Sequence, residues 1–172
     1  MKSFGLVVFL ALTALATLHA ADPVEFTVGE FTFSRPAEWR WVASNSPMRK
    51  AQMAVGDASG AVGDVVFFHF GPGQGGSVED NVKRWLGQFE KADSSASRSE
   101  EVNGRKITFV EASGTYMSGM PGTPATPMEG FAMRAAILGN AGGDVYVRFT
   151  GPAALVTGAA GAFEEMVKSA AR

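Results

Sequence analysis

The chain has no cysteine and only two histidines, His19 and His69. The lack of cysteine excludes disulfides, thiolate zinc and iron–sulfur sites, thiol nucleophiles and lipid-modified cysteines. Charge is also sparse, because 15 Lys and Arg against 17 Asp and Glu give a formal net charge of −2. Such a chain has no basic field to attract nucleic acid or anionic lipid, so we expect no nucleic-acid partner.

The composition is that of one folded domain. The 172 residues are 46% hydrophobic, which is enough for one buried core and short for two. The sequence shows no internal repeat and no interdomain linker. It therefore predicts a single globular domain over residues 21–172.

The first twenty residues are typical of an export signal. Lys2 precedes an apolar run over residues 4–18, and Ala20 is the small residue that signal peptidase requires. The run is shorter than the ~20 residues of a membrane-spanning helix. We expect a signal peptide over residues 1–20, cleavage after Ala20, and a secreted or periplasmic protein with no stable membrane insertion. Cleavage one residue later and an uncleaved N-terminal anchor are the alternatives.

Alternating apolar and polar residues predict strands in both halves of the chain. The predicted strands are residues 24–28, 31–33, 41–42, 51–55, 65–70, 101–102, 105–112, 131–137 and 145–149. Asn103-Gly104 is a strong hairpin turn signal. Residues 65–70 are apolar at nearly every position, which predicts a central strand covered on both faces.

Two helices are predicted, one capped by Ser77 and one that closes the chain after Pro152. The first has one apolar face, made of Val78, Val82, Trp85, Leu86 and Phe89. We expect loops over residues 71–76, 93–101 and 117–129, the last because it holds three prolines and two glycines. Hairpin connections without repeated strand-helix-strand units predict an α+β fold, an antiparallel sheet with helices packed on it.

Several segments resemble the PsbP-like superfamily, which includes extrinsic subunits of photosystem II and Ran-binding Mog proteins. They are the opening hairpin with Pro36-Ala37-Glu38-Trp39, the strand after Met48-Arg49, Gly75-Gly76-Ser77 through Asn81, Arg84-Trp85, Gln88-Phe89, and Thr150-Gly151-Pro152. The likeness is closest to secreted bacterial members without assigned activity. It implies an α/β/α sandwich and a module that binds a partner without catalysis. It assigns no functional residue, because the matching positions are packing and turn residues.

The loop from Gly71 to Gly76 satisfies the G-x-G-x-x-G dinucleotide pattern, after a strand and before a helix. A dinucleotide fold also needs a parallel strand ending in an acid about twenty residues later, and residues 92–99 are too polar for it. We therefore interpret the loop as a turn into the helix. The backbone amides of Gly75, Gly76 and Ser77 are candidates for binding an anion such as phosphate.

The sequence shows no recognisable catalytic set. No G-x-S-x-G elbow accompanies His69, so we expect a partly buried structural histidine. The adjacent acids, such as Glu164 and Glu165, point to different sides of their elements and indicate solvated surface. We expect no enzymatic activity and no cofactor.

The Pro/Gly segment over residues 117–129 is the predicted partner-binding loop. Its candidate contact residues are Met117, Met120, Thr123, Thr126 and Met128. Methionine suits adaptable binding surfaces, and thioethers also suit Cu(I). Met117 and Met120 are therefore candidate metal ligands as well, and plain packing is the third interpretation.

These observations predict an exported, non-catalytic interaction or binding module whose partner is an unidentified protein or small ligand. The alternative is a periplasmic carrier of a small ligand or a metal such as copper, and a hydrolase is third. A hydrolase should place His69 in a cleft beside a serine or carboxylate, and a carrier should show a lined pocket. An interaction module should show an exposed apolar patch.

Overall fold

A computed structural model describes residues 23–44, 46–119 and 124–172. The predicted signal peptide and its cleavage site lie outside these residues. Within the described ranges, no helix has the length and apolar character needed to cross a membrane.

Nine strands and three helices make up the described chain. In order they are β1 (Val24–Val28), β2 (Phe31–Arg35), β3 (Arg40–Trp41), β4 (Arg49–Gly56), β5 (Val62–His69), α1 (Val78–Leu86), β6 (Phe89–Val102), β7 (Arg105–Ser118), β8 (Thr126–Leu138), β9 (Val145–Pro152), α2 (Ala153–Gly158) and α3 (Ala160–Ser169). Seven strands form one antiparallel sheet in the order β3-β4-β5-β9-β8-β7-β6, and β1 and β2 pair separately. The predicted α+β architecture is confirmed.

Two cores lie on opposite faces of the large sheet. The α3-side core packs the β1-β2 hairpin, α2 and α3 on the sheet, and Phe33, Phe67, Phe149 and Phe163 are each fully buried in it. Burying each such side chain stabilises the fold by about 1.5–3 kcal/mol. The α1-side core packs Trp85 and neighbouring apolar residues against the other face.

β5 is the covered central strand that its apolar run predicts. It lies between β4 and β9. Phe67 is buried in the α3-side core, and Phe68 packs against the α1-side core. The Asn103-Gly104 turn is also confirmed, because both residues have positive φ, 50° and 78°, as a type I′ turn requires.

The predicted loop over residues 93–101 is wrong. These residues belong to β6, a fourteen-residue strand at the edge of the sheet that pairs along its length with β7. Every residue from Glu90 to Ser99 is exposed. An edge strand that water reaches on both faces needs no apolar side, so its polar sequence carries no strand pattern.

The predicted loop over residues 117–129 is much shorter. β7 continues to Ser118 and β8 begins at Thr126, so Met117 pairs with Pro127 and Tyr116 with Met128. Only residues 119–125 connect the two strands.

The closing helix is also divided, because α2 ends at Gly158 and α3 begins at Ala160. Glycine costs a helix about 1 kcal/mol relative to alanine, and Gly158 and Gly161 flank this break. α2 and α3 pack on the sheet as two separate short helices, and Phe163 and Met166 of α3 are fully buried in the α3-side core.

Candidate functional site

α1 forms one side of the candidate site. Ser77 caps the helix, and its Oγ accepts a hydrogen bond from the Asp80 N–H at 3.0 Å. This bond satisfies one of the backbone donors left open at a helix start. The apolar face of α1 lies on the sheet, with Trp85 5% exposed and Val82 and Leu86 packed against the same core. The prediction that Phe89 extends this helix face is wrong, because α1 ends at Leu86 and Phe89 begins β6.

A pocket of about 180 Å³ opens between α1 and strands β5 and β9. We call it the α1 pocket. Its apolar walls come from Phe68, Phe70, Trp85 and Tyr146, with Met48 also lining it. Phe70 is 38% exposed and Met48 is 56% exposed, so large apolar side chains reach solvent at this pocket.

The aromatic rings of the α1 pocket are in mutual contact. The Phe68 and Phe70 rings are stacked with centroids 6.3 Å apart, and Phe70 lies 5.9 Å from Tyr146. Trp85 meets Tyr146 edge-on at 6.3 Å. Contacts of this kind hold the walls in place, and they leave a π-face available to a ligand.

The polar side of the α1 pocket is cationic. Arg84 and Arg148 line it, and no aspartate or glutamate does among the described residues. The Nη1 of Arg148 donates to the Gln88 side-chain oxygen at 3.1 Å. Arg84 donates to the side-chain oxygen of Asn81, which is 1% exposed.

Asn81 ties the preceding loop to this arrangement. Its Nδ2 donates to the carbonyl oxygens of Gly75 and Ser77, both at 2.8 Å. Because the same side chain accepts from Arg84, the loop and the guanidinium are positioned together. Asn81 was not singled out as a site residue from the sequence, where it is one polar residue in a helix.

Two polar atoms of the pocket residues are buried without a hydrogen-bond partner in the described part of the chain: the Tyr146 hydroxyl and the Arg148 Nε. Each such atom costs about 1–3 kcal/mol. Burial raises the pKa of Tyr146, and the negative charge of Asp144 adds to this, while Arg84 acts in the opposite direction. Tyr146 is therefore protonated at neutral pH.

The predicted anion-binding residues lie beside this pocket. Gly75 has φ of +101°, and a Cβ there would lie 2.6 Å from the Tyr146 hydroxyl, so the loop passes directly over that ring. The Ser77 hydroxyl is already engaged with Asp80, to whose carboxylate it donates at 2.8 Å. Anion binding by Gly75, Gly76 and Ser77 stays a prediction.

The predicted methionine set is divided between the two faces of the sheet. Met128 packs against the α1-side core, opposite Tyr116. Met117 is the next residue after Tyr116 along β7, and consecutive residues of a strand point to opposite faces. Met117 and Met128 therefore lie on opposite faces of the sheet, and metal binding by Met117 and Met120 stays a prediction. Thr126 is exposed at the start of β8, and Met120 and Thr123 lie outside the described residues.

His69 lies on the other side of β5 from the α1 pocket. Its ring packs on Gly29, where a Cβ would lie 3.1 Å away. Its Nδ1 is 3.3 Å from the carbonyl oxygen of Asp144. In the described ranges, no cluster of three or more His, Asp or Glu side chains could hold a metal ion.

Sequence reasoning missed Tyr146 and Arg148. The residues that predict the strand over 145–149 are Val145, Val147 and Phe149, and these three are buried in the α3-side core. A signal was present on the alternate positions, because a central strand rarely carries an arginine on a covered face. That arginine indicates a pocket or a charged partner on its face.

No protein-family model and no curated protein matches this sequence. Among solved structures, it is similar to cyanobacterial PsbP (CyanoP) from Synechocystis sp. PCC 6803, with a TM-score of 0.54 and 13% identity over 92% of this chain and 96% of that one. PA94 from Pseudomonas aeruginosa, a protein of unknown function, matches with a TM-score of 0.43 and 10% identity over 87% and 96% of the respective chains, too distant to add to the assignment. The described chain therefore has the PsbP-like fold that its sequence predicts.

Proposed function

We propose that this protein is a non-catalytic binding module and that the α1 pocket is its binding site. One observation carries the proposal: an open pocket with aromatic walls and two arginines, next to large apolar side chains that reach solvent. Ligand sites combine apolar walls with a few positioned polar groups in this way.

The chemistry of the lining supports binding over turnover. The pocket's described lining has no histidine, serine or carboxylate to act as nucleophile or general base. Tyr146 has a raised pKa, which makes it a poor base at neutral pH. His69 packs against the β1-β2 hairpin on the opposite side of the sheet.

We also propose that the module works after export, in the periplasm or outside the cell. The support is the sequence over residues 1–20, where a lysine and a short apolar run precede Ala20. An exported protein meets small solutes and other exported proteins, and the α1 pocket can accept either a small molecule or a side chain of a partner.

A fragment screen by NMR tests the binding site. Neutral and charged single-ring fragments are added to labelled protein, and we expect hits that shift the indole N–H of Trp85 and the methyl of Met48. Phe70→Ser should weaken these hits because it removes an exposed wall of the pocket. Val62→Ser is the matched control, since Val62 is also a large exposed side chain, 56% exposed at the other end of the β5 strand.

The proposal fails if no fragment of either charge shifts the Trp85 and Met48 signals. It also fails if Phe70→Ser and Val62→Ser change binding equally, because the hits would then not depend on this wall.

A further inference from the structure

We propose that the α1 pocket binds a carboxylate carried on a small aromatic or branched apolar group, with Arg148 as the carboxylate-binding residue. This inference rests on the proposed function and names its ligand class. It is carried by two guanidinium groups that pair with no acid of the described chain, by the hydrogen-bonding chemistry of the guanidinium and by the size of the pocket.

Neither guanidinium of the pocket pairs directly with an acid of the described chain; the negative charge of Asp144 acts on Tyr146 but does not pair with either arginine. Among the described residues, no carboxylate lies within 4.0 Å of the Arg84 or Arg148 guanidinium. Arg148 is also half-buried. A cation that is partly removed from water without a counter-ion is unfavourable, so an anion in the pocket would offset that cost.

On the opposite face of the sheet, two partly buried cations pair with acids. Arg134 has a side chain 26% exposed, and it pairs with Glu111 at 3.0 Å and with Glu164 at 3.4 Å. Lys168 likewise pairs with Glu100 at 2.8 Å. Arg148 has no acid partner in the described chain, and unlike the buried Arg35, which donates to three backbone carbonyls, it has only the Gln88 side chain as an acceptor.

The guanidinium of Arg148 is positioned by one hydrogen bond and keeps other N–H donors without a partner in the described chain. Its only hydrogen bond within the described ranges is from Nη1 to Gln88. The planar donor groups that remain match the two oxygens of a carboxylate. Gln88 keeps the guanidinium plane in position before a ligand arrives, which reduces the entropy lost on binding.

The rest of the ligand must be apolar and small. Phe68 and Phe70 present a stacked pair of rings, and Met48 at the pocket adds an adaptable thioether. The volume of about 180 Å³ is below the ~300–1,000 Å³ of sites for drug-sized ligands. One ring or one branched chain bearing a carboxylate fits this description. Its source is either a free acid or the C-terminal residue of a peptide.

Three probes test the charge of the ligand and its source. They are 3-phenylpropionate, its neutral amide, and a hexapeptide that ends in phenylalanine with a free carboxylate. Binding is followed by NMR titration of the Trp85 indole N–H, with Kd as the measured quantity. We expect the acid to bind at least about tenfold more tightly than the amide, because hydrogen bonds to a charged acceptor are roughly twice as strong as those to a neutral one.

Variants then assign the carboxylate to Arg148. In Arg148→Gln the acid and the amide should bind with equal affinity, and Arg148→Lys should restore only part of the preference, because lysine keeps the charge without the planar donors. Arg134→Gln is the matched control and should leave the preference unchanged. The comparison of acid with amide in the unmodified protein does not depend on any variant folding.

The outcomes separate this inference from the proposed function. Equal Kd values for acid and amide in the unmodified protein would keep the site and overturn the carboxylate inference. No shift by any probe or fragment would overturn both. A preference that survives in Arg148→Gln would overturn the assignment to Arg148. Where the acid is preferred to its amide, tighter binding of the peptide than of 3-phenylpropionate identifies a peptide C-terminus as the source of the carboxylate, and weaker binding identifies a free acid.

Discussion

Replacing Trp85 by alanine tests how α1 is held on the sheet. Trp85 is 5% exposed and is one of the largest side chains of the α1-side core. A buried tryptophan removes about 150–250 Å² from water, which at about 25 cal/mol per Å² corresponds to about 4–6 kcal/mol. Measured losses for such truncations are about 3–5 kcal/mol. Because Trp85 also lines the open α1 pocket, water can enter part of the vacated space, so we expect about 3 kcal/mol.

The assay is urea denaturation followed by far-UV circular dichroism, which remains usable when a tryptophan is removed. Lys83→Ala is the matched control, because Lys83 lies on the same helix and is exposed. Its free energy of unfolding should change by less than about 0.5 kcal/mol. Equal midpoints for the two variants would show that the helix does not use this face, and the geometry of the α1 pocket would then be wrong as well.

Three further predictions concern the loop over the pocket, the pocket tyrosine and the N-terminus. Gly75→Ala should lower the denaturation midpoint more than Gly73→Ala. Both glycines have positive φ, but only a Cβ at Gly75 would meet the Tyr146 hydroxyl, at 2.6 Å, whereas a Cβ at Gly73 would enter open space. Equal midpoints for the two variants would contradict this close approach. Since the pKa of Tyr146 is raised in the folded state, the unfolded chain loses that proton first, and the free energy of unfolding should fall as pH rises above about 10. The phenolate absorbance measures this titration, and an equally steep fall in Tyr146→Phe would exclude this tyrosine as its cause. Intact-mass measurement of the exported protein should show a chain that begins at Ala21, and a main species that keeps residues 1–20 in the membrane fraction would favour the anchor instead.

Short-range patterns predicted α1 and the central strands correctly. Ser77 caps α1 because a serine hydroxyl can reach a backbone N–H three residues later. The apolar spacing from Val78 to Leu86 places one face of α1 on the core, whereas Phe89, predicted on that face, begins β6 and reaches the same core from the sheet. Asn103-Gly104 forms its turn because both residues accept positive φ. Each of these features depends on residues within a few positions of one another.

The long edge strand could not be predicted in the same way. β6 carries no apolar alternation between Glu90 and Ser99, because its stability comes from the backbone ladder to β7 and not from a buried face. The same ladder extends β7 and β8 into the Pro/Gly segment, where Pro127 pairs with Met117. The prolines of this segment predicted a loop, but pairing between β7 and β8 makes its two ends strands.

The candidate site also combines features that follow from the local sequence with features that depend on the tertiary structure. The sequence alone determined the antiparallel α+β class, the helix face with Trp85 and the lack of thiol chemistry, since these follow from composition or local spacing. The resemblance to PsbP-like proteins, carried by particular segments, pointed to the same fold. Only the tertiary structure brought Arg84 of α1, Phe70 after β5 and Arg148 of β9 to one pocket, with no carboxylate of the described chain paired with either arginine. Those residues are far apart along the chain, and whether a charge is compensated depends on which distant side chains share its surroundings.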